Sequence, residues 1–530
     1  MVTQYLKIGC LLSLILGLAC SSVQAPRSGQ RKTLNLTMYE AAFGTTDNGT
    51  LDPLRTYQMP YFNLQHQIFE TLVAIDLNKQ TMVPLLAESW EMPSATTLRF
   101  HLRRGVRFHN GEPFTAAAVK FSLDLMLDPQ QKFGGRFLFD AIAEVRIVDE
   151  FTVDIGLRYP DARMLRRLAV VGFILPPQYF KNAGETYFTR NPMGTGPYRY
   201  FYNKRSDQGV REVHLVANED YWGPSRPSIH EVVYKFIPRQ QQWQALVDGQ
   251  VDLLITQAPE PRAALEKNPS LVIQRKPSLR TSFCLFNIDK PGPLQDERVR
   301  RALEHAVNRG EIIEKVLLGY GKPLYASTGA KGSLAYSSAK PVYEESAAKT
   351  AELLAAAGYA GGLTLRVMAS ANQPTTEVAE LLKQQLARAG IMLDLHFLSR
   401  DEVIKEVVAP KLMGAPRPSS YDIWLVSGWP DFYGTNGHFY FLFLNSQGIF
   451  NFGISQNKKS EIDALYTIAC QSSDEAALAR NVQKLDRYLL DQALVLPLYQ
   501  IEMLYAMRKG VTCNPGLNDL PLRFIGCSVE

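Results

Sequence analysis

The residues that most often do chemistry in enzymes are scattered along this chain. Its eight histidines form no His-Glu-x-x-His motif and no pair three or four residues apart, so a zinc hydrolase is not indicated. No Gly-x-Ser-x-Gly motif presents a serine nucleophile, and position alone pairs no two carboxylates for acid–base work. These absences weigh against catalysis, so we predict that the protein is not an enzyme. An exported hydrolase stays open as the alternative of another class.

The totals describe a globular chain that is too long for one ordinary core. At 530 residues, the chain is expected to form about two to four domains, and 46% hydrophobic residues exclude a disordered protein. The net charge of +5 is small and no long basic run is present, so we predict no nucleic-acid partner. The glycine-rich stretch 191–198 lacks the lysine of a P-loop and the spacing of a dinucleotide fingerprint, so we predict no cofactor.

The N-terminus has the layout of a secretory signal. One positive charge in residues 1–7 precedes an apolar run, Ile8 to Ala19, that is too short to span a bilayer comfortably. Two cleavage sites fit. One resembles a bacterial lipobox and would make Cys20 a lipidated first residue, and the other is ordinary cleavage after Ala25. We predict a signal peptide over residues 1–20, a tether over 21–32, and an exported lipoprotein of the periplasm or cell envelope. Cleavage after Ala25 is the alternative.

Four cysteines lie outside the signal, and an even number permits disulfides in an oxidising compartment. Cys513 and Cys527 bracket a terminal loop containing proline and glycine, where a disulfide would restrain an otherwise frayed end. The alternative is four unpaired thiols, with Cys284 as a small hydrophobic residue in a buried strand.

The stretch Leu98 to Val119 packs several elements into one short run. Apolar residues alternate with polar ones from Leu98 to Leu102, which predicts a strand with one buried face. His109-Asn110-Gly111 supplies a tight turn after a second extended segment. Thr115 is placed to cap the following helix through its hydroxyl. The stretch is therefore predicted as strand, turn, strand, turn and helix.

The second half of the chain has a βαβ rhythm. A helix over 346–357, a strand over 363–369, a helix over 375–389 and a strand over 392–398 predict a parallel sheet with helices on its faces. A further apolar strand over 421–427 ends in Gly428-Trp429-Pro430-Asp431. Because ligands of such sheets bind beyond the carboxyl ends of the strands, this exit loop is the first place to expect a binding site.

The stretch Phe108-His109-Asn110-Gly111-Glu112-Pro113-Phe114-Thr115-Ala116 resembles the signature of the family 5 extracellular solute-binding proteins, the peptide-, dipeptide- and nickel-binding receptors of bacterial ABC importers. Further segments match in family order over nearly the whole mature chain. Among them are Leu51-Asp52-Pro53, Phe69-Glu70-Thr71-Leu72, Gly194-Thr195-Gly196-Pro197-Tyr198, Gly249-x-Val251-Asp252 and Tyr421-Asp422-Ile423. Two departures from the pattern, Asn110 for aspartate and Ala118 for an acidic residue, touch no ligand chemistry.

The resemblance implies an α/β fold: the two-lobed periplasmic-binding-protein fold, type II, in its large three-domain variant, with a hinge between the lobes. Carried onto this chain, it places the first crossing between the lobes near Phe283 to Asn287 and the second near Leu494 to Tyr499. The expected division is lobe I over 33–75, 185–283 and 497–530, an extra subdomain of lobe I over 76–184, and lobe II over 284–496.

The resemblance also implies the function. We expect the substrate-binding component of an ABC importer, a monomer that closes on a short peptide and delivers it to the membrane permease subunits. The alternative is the same fold binding a non-peptide solute such as a sugar, an opine, a nickel chelate or haem.

In peptide-binding members, a Trp-x-x-Asp just after a strand places a carboxylate against the α-amino group of the peptide. This chain has the shorter Trp429-Pro430-Asp431, so Asp431 is either a ligand contact or a solvated loop carboxylate. Ser427 and Gly428 would offer backbone groups to an extended ligand, and three aromatic side chains of the exit loop would line the cleft or pack in a core. The predicted ligand-binding residues are Tyr39, Glu40, Ala41, Ser427, Gly428, Trp429, Asp431, Phe432 and Tyr433, and no metal site is predicted.

Overall fold

The computed structural model describes residues 32–38, 51–55, 59–76, 78–79, 81–131, 133–206, 209–257, 262–327, 329–333, 336, 342–413, 419–430, 439–446, 448–454, 456–515 and 522–530. The signal, the tether and the predicted lipidation site Cys20 lie outside these residues.

The described strands, in chain order, are β1 (Thr33–Met38), β2 (Val73–Ile75), β3 (Met82–Pro84), β4 (Ala87–Ser94), β5 (Thr97–Leu102), β6 (Ile142–Asp149), β7 (Thr152–Leu157), β8 (Tyr198–Ser206), β9 (Gly209–Ala217), β10 (Glu231–Lys235), β11 (Leu253–Thr256), β12 (Leu271–Phe286), β13 (Gly321–Pro323), β14 (Leu363–Ser370), β15 (Ile391–Leu398), β16 (Ile423–Pro430), β17 (Val495–Arg508), β18 (Val511–Thr512) and β19 (Ser528–Val529).

The described α-helices are α1 (Met59–Ile68), α2 (Ala116–Leu127), α3 (Met164–Val171), α4 (Pro177–Ala183), α5 (Glu185–Arg190), α6 (Arg239–Val247), α7 (Arg262–Lys267), α8 (Glu297–Ala306), α9 (Arg309–Lys315), α10 (Ala347–Ala356), α11 (Thr375–Ala387), α12 (Arg400–Val403), α13 (Ala409–Leu412), α14 (Gln456–Cys470) and α15 (Glu475–Asp491). Short π-helical turns occupy Ile404–Val408 and Tyr440–Leu444.

One mixed sheet runs through the molecule. Among the described strands, eleven belong to it, in the order β15-β14-β16-β12-β17-β11-β1-β10-β9-β8, with β13 paired to β17. At one end, β14 is parallel to both β15 and β16, as the βαβ rhythm predicts. At the other end, β1 is parallel to both β10 and β11. The long strands β12 and β17 are antiparallel to each other and join the two ends.

The buried side chains divide into two large hydrophobic clusters, one on each side of this junction. We use lobe I for the part built on the first cluster, which includes Leu34, Phe69, Phe100 and Leu253. Lobe II is the part built on the second, which includes Leu303, Leu365, Leu425 and Leu489. A smaller third cluster contains Tyr320, Leu246 and Leu504 beside β17. The fold is thus α/β and two-lobed, with two long strands at the hinge.

The stretch Leu98 to Val119 lies in a separate four-stranded sheet of order β4-β5-β7-β6. Residues of β5 alternate between buried and half-buried, as the sequence pattern predicts. Helix α2 begins at Ala116 as predicted, but the hydroxyl of Thr115 makes no capping hydrogen bond. The predicted hydroxyl cap is therefore wrong, and the backbone carbonyl of Thr115 accepts the N–H of Ala118 at 3.0 Å instead.

The C-terminal segment is held to lobe I by a disulfide and by side-chain hydrogen bonds. Cys513 and Cys527 are bonded, the pairing that the sequence allowed, with a Cα–Cα distance of 4.3 Å. The Gln67 side chain donates to the carbonyl of Leu522 at 2.7 Å and accepts from the N–H of Phe524 at 3.1 Å. Cys284 and Cys470 are buried free thiols.

Candidate functional site

The carboxyl end of β16 extends past its neighbour β14 at the junction of the lobes. β14 pairs with β16 only as far as Leu425, whereas β12 continues to pair with β16 through Pro430. Residues 426–429 therefore have a paired edge toward β12 and lie beyond the carboxyl end of β14. In open α/β sheets, a crevice at such a point is the usual place for a ligand.

Three hydroxyl groups from three strands meet at this place. The Oγ of Ser427 lies 3.3 Å from the Oγ of Ser282 and 3.0 Å from the phenolic oxygen of Tyr499. Ser282 belongs to β12 and Tyr499 to β17, the two strands that join the lobes. Tyr499 is fully buried, and burial raises the pKa of its phenol. The cluster is therefore neutral and each member can donate or accept a hydrogen bond.

Gly428 is held by β12. Its N–H donates to the Oγ of Ser282 at 2.9 Å, and its carbonyl accepts from Nη1 of Arg280 at 3.1 Å. Its φ of +67° favours glycine, and an added Cβ would lie 3.3 Å from Oε1 of Gln257 in lobe I. In this conformation Ser282 accepts the Gly428 N–H, and the expectation that Ser427 and Gly428 offer backbone groups to a ligand stays a prediction.

Arg280 lies at the floor of the site with 2% of its surface exposed. Its backbone N–H donates to the Oγ of Ser278 at 3.1 Å. The Gln500 side chain in turn donates to the carbonyls of Ser278, at 2.6 Å, and Lys331, at 3.0 Å. Because its Nη1 donates to the carbonyl of Gly428, the buried Arg280 guanidinium fixes the backbone at the end of β16.

Trp429 faces lobe II. Its ring centroid lies 4.6 Å from that of Phe443 and 5.6 Å from that of Phe450, both nearly perpendicular to it. The side chain is half-buried against the lobe II cluster. One face of the Trp429 indole therefore packs in the core, as the alternative interpretation expects. The role of Trp429 in lining the cleft stays a prediction.

A cavity of about 580 Å³ lies between α6 and the carboxyl end of β14. One wall is α6, which packs on the third hydrophobic cluster, with Arg239 and Trp243. The other wall is formed by the end of α9 with Lys315 and by the loop 371–374 at the carboxyl end of β14. The sequence predicted the strand before this loop, but it did not predict that the loop residues line a cavity.

Six of the predicted ligand-binding residues lie outside the described residues: Tyr39, Glu40, Ala41, Asp431, Phe432 and Tyr433. The described part of the chain brings Ser427, Gly428 and Trp429 together and adds four side chains that the sequence did not single out, namely Gln257, Arg280, Ser282 and Tyr499. No group of three or more metal-ligating side chains occurs among the described residues. Within the same part of the chain, no helix is long and apolar enough to cross a membrane.

Comparison with known proteins places these features in a family. The family model for bacterial extracellular solute-binding proteins, family 5 Middle, matches residues 81–451. A glutathione-binding protein GsiB of Escherichia coli O1:K1 / APEC is 26% identical over 472 residues, which cover 87% of this chain and 89% of that relative.

Solved structures share the fold at lower identity. NikA from Brucella suis in complex with Fe(III)-EDTA superposes with a TM-score of 0.80 at 23% identity, covering 94% of this chain and 100% of that one. The periplasmic binding protein DppA from Helicobacter pylori, in complex with the peptide STSA, gives a TM-score of 0.74 at 22% identity over 94% of this chain and 99% of that one. The chain therefore belongs to the family 5 bacterial extracellular solute-binding proteins, the substrate-binding components of ABC importers.

Proposed function

We propose that the protein binds short peptides between its two lobes and delivers them to the permease subunits of an ABC importer. The observation that carries this proposal is the polar floor formed by Ser427, Ser282, Tyr499 and Arg280 at the carboxyl end of β16. Hydroxyl groups that both donate and accept suit the alternating N–H and C=O groups of a peptide main chain. Contacts of this kind give affinity with little selection among side chains.

Three further contacts complete the proposed site. The segment Tyr39, Glu40 and Ala41 directly follows β1 and forms the opposing wall in lobe I. Asp431 follows β16 and pairs with the peptide α-amino group, and Phe432 and Tyr433 join Trp429 as apolar lining. The binding of glutathione, a tripeptide, by a relative and of a tetrapeptide by a structural neighbour supports this ligand class.

A chelated metal or another non-peptide solute is the second candidate. The structural neighbour from Brucella suis holds an iron chelate in the same fold. The buried Arg280 suits the carboxylates of a chelator as well as those of a peptide. Because the described residues contain no metal-ligating group of three or more, the chelator would have to supply most of the metal ligands.

Mass spectrometry of small molecules released by denaturing the purified protein tests the proposal. Recovery of short peptides supports it, and recovery of a metal chelate, an opine or a sugar in their place contradicts it. Calorimetry with the recovered peptide and its N-acetylated form then tests Asp431. We expect Asp431→Asn to weaken binding of the free peptide about tenfold or more and to leave the acetylated form unchanged. Asp491→Asn, on the surface of α15, is the matched control.

We also propose that Cys20 is lipidated and anchors the protein at the membrane as a monomer. Intact mass and N-terminal sequence of protein from the membrane fraction test the anchor. A diacylglyceryl-modified Cys20 supports it, whereas an N-terminus at Pro26 contradicts it. Static light scattering of the solubilised protein tests the monomeric state, and a dimer mass would contradict it.

A further inference from the structure

The lobes also touch each other at a place outside the two joining strands. On the lobe I side, the contact is made by the start of α3 and the loop before it. Nε of Arg166 donates to Oε1 of Glu475 at 2.7 Å, and Nη1 of Arg163 donates to the phenolic oxygen of Tyr466 at 3.0 Å. The N–H of Ala162 donates to the carbonyl of Ser472 at 3.1 Å. We call this set the interlobe contact; its members are Ala162, Arg163, Arg166, Tyr466, Ser472 and Glu475.

The lobe I half of the contact is rigidly built. Asp161 accepts two hydrogen bonds from the Arg163 guanidinium, both at 2.7 Å, and one from Arg167 at 3.2 Å. Asp161 and Arg163 have 5% and 3% of their surfaces exposed. This bidentate pair fixes the guanidinium plane, so that its remaining nitrogen is aimed at Tyr466.

The lobe II residues of the contact lie on α14, on α15 and between them, at the ends of these helices that face lobe I. Helix α15 directly precedes β17, and β17 begins in lobe II beside Leu285 and ends in lobe I beside Leu253. In α/β folds, a helix runs antiparallel to the strand that it precedes, so the N-terminus of α15 with Glu475 points toward lobe I. The C-terminus of α14, with Tyr466, lies beside it.

The interlobe contact is mostly polar: Ala162 packs against the lobe II cluster, and the other named contacts are hydrogen bonds. Its lobe II partner Glu475 keeps 45% of its side chain exposed. Interfaces that must stay closed are large and apolar, whereas polar interfaces of this kind separate readily because water replaces their hydrogen bonds.

We propose that the interlobe contact is a latch that forms when the lobes close and breaks when they open. The latch sets the closed population and hence the affinity for the ligand, since a ligand held between lobes binds the closed state more tightly. This inference rests on the proposed function, in which closing encloses the solute.

Cross-linking of cysteines across the latch, with no ligand present, tests the proposal. Ala162→Cys and Ser472→Cys are combined with Cys470→Ser to remove the nearby native thiol. Their backbones are hydrogen-bonded, so the two cysteines are within reach of a disulfide only when the lobes are closed. The rate of cross-link formation under a fixed oxidant, followed by intact mass after alkylation, reports the closed population.

In this background, we expect Tyr466→Phe with Glu475→Gln to slow cross-linking about tenfold, because the latch loses the hydrogen bond from Arg163 to the phenol and the carboxylate charge that faces Arg166. Asp491→Asn is the control, since Asp491 pairs with Arg487 within α15 at 2.8 Å and spans no lobe. Equal rates in the double variant and the control would overturn the proposal, as would no cross-link in the parent. If the double variant fails to fold, Tyr466→Phe alone is expected to slow the reaction about threefold. Because no solute is added, failure of the peptide proposal leaves this result unaffected.

Discussion

The signature segment, Leu98 to Val119, and the carboxyl end of β16 differ in where their hydrogen bonds go. In the signature segment, they stay within lobe I. Nε2 of His109 lies 2.9 Å from the carbonyl of Gly196, and the N–H of Gly194 lies 3.4 Å from its Nδ1. Glu112 accepts from the N–H groups of Gln178, at 2.8 Å, and Tyr179, at 3.1 Å. The segment thus fastens distant loops of one lobe to each other.

At the carboxyl end of β16, the hydrogen bonds reach the strands that join the lobes. Ser427 and Gly428 contact Ser282 and Arg280 of β12 and Tyr499 of β17. These bonds tie the end of β16 to the two strands that continue from lobe II into lobe I. The most recognisable stretch of the sequence thus stabilises lobe I, whereas the candidate site depends on contacts with β12 and β17, the strands that join the lobes.

His109→Ala is expected to have the largest effect on stability and none on binding. The substitution removes a ring that holds the 194–196 turn, and the turn cannot adjust freely because a Cβ at Gly196 would lie 2.3 Å from the carbonyl of Gln67. We expect a loss of about 3–4 kcal/mol in urea unfolding, with the affinity for the recovered peptide unchanged. Asn110→Asp, at the exposed turn beside it, is the control and should cost less than about 0.5 kcal/mol. A tenfold loss of affinity in folded His109→Ala would contradict the claim that the signature segment stabilises lobe I without acting in binding.

Removal of the Cys513–Cys527 disulfide is expected to cost about 3 kcal/mol, because a loop of this length is then free in the unfolded chain. The loss should fall on lobe I, where the C-terminal segment contacts α1. Hydrogen exchange of the Cys513→Ser, Cys527→Ser double variant should therefore speed up in α1 and not in α15. Cys284→Ala, in lobe II, is the control. Uniform acceleration across both lobes would contradict the assignment of this loss to lobe I.

Much of the signature segment could be predicted because its information is local. The alternation in β5, the turn after Phe108 and the start of α2 all follow from neighbouring residues. The cap at Thr115 was wrong because the same N–H groups can be satisfied by a backbone carbonyl, and residue type does not decide between the two acceptors.

The floor of the site could be predicted only in part because its information is not local. Ser282 and Ser427 are 145 residues apart, and Ser427 and Tyr499 are 72 apart. Their meeting depends on the register of β12 with β16, which shifts between Thr281 and Phe283. A shift of one residue turns every side chain to the other face of a sheet, and no composition pattern reports it.

Two buried groups, His109 in lobe I and Glu304 in lobe II, are expected to give stability opposite dependences on pH. Burial lowers the pKa of His109 to about 4, so the unfolded chain binds the extra proton and lobe I loses stability as the pH falls from 6.5 toward 4. Burial raises the pKa of Glu304 in lobe II to about 7, although the adjacent Arg309 lowers it, so the folded chain holds the extra proton. Lobe II therefore loses stability as the pH rises from 4.5 toward 7.

Urea unfolding at pH 5 and 6.5 measures both effects. In the parent, His109 should add about 2 kcal/mol to the free energy of unfolding between pH 5 and 6.5, and His109→Gln should abolish this gain. Glu304 should subtract a similar amount over the same range, and Glu304→Gln should abolish that loss. Both substitutions keep the approximate size of the side chain and a hydrogen-bonding group. The same change of slope in both variants would contradict the opposite pKa shifts of His109 and Glu304.

Tyr499→Phe is expected to have the smallest effect on stability and a clear effect on binding. It removes one oxygen that contacts Ser427 and leaves the ring in the core, which should cost about 1 kcal/mol of unfolding free energy. If the proposed site is right, the affinity for the recovered peptide should fall about tenfold, because Ser427 loses the partner that orients its hydroxyl. Tyr343→Phe is the matched control: its buried hydroxyl donates to the carbonyl of Leu490 at 2.8 Å, away from the site. The control should lose similar stability and no affinity, and equal affinities in the two variants would remove Tyr499 from the site.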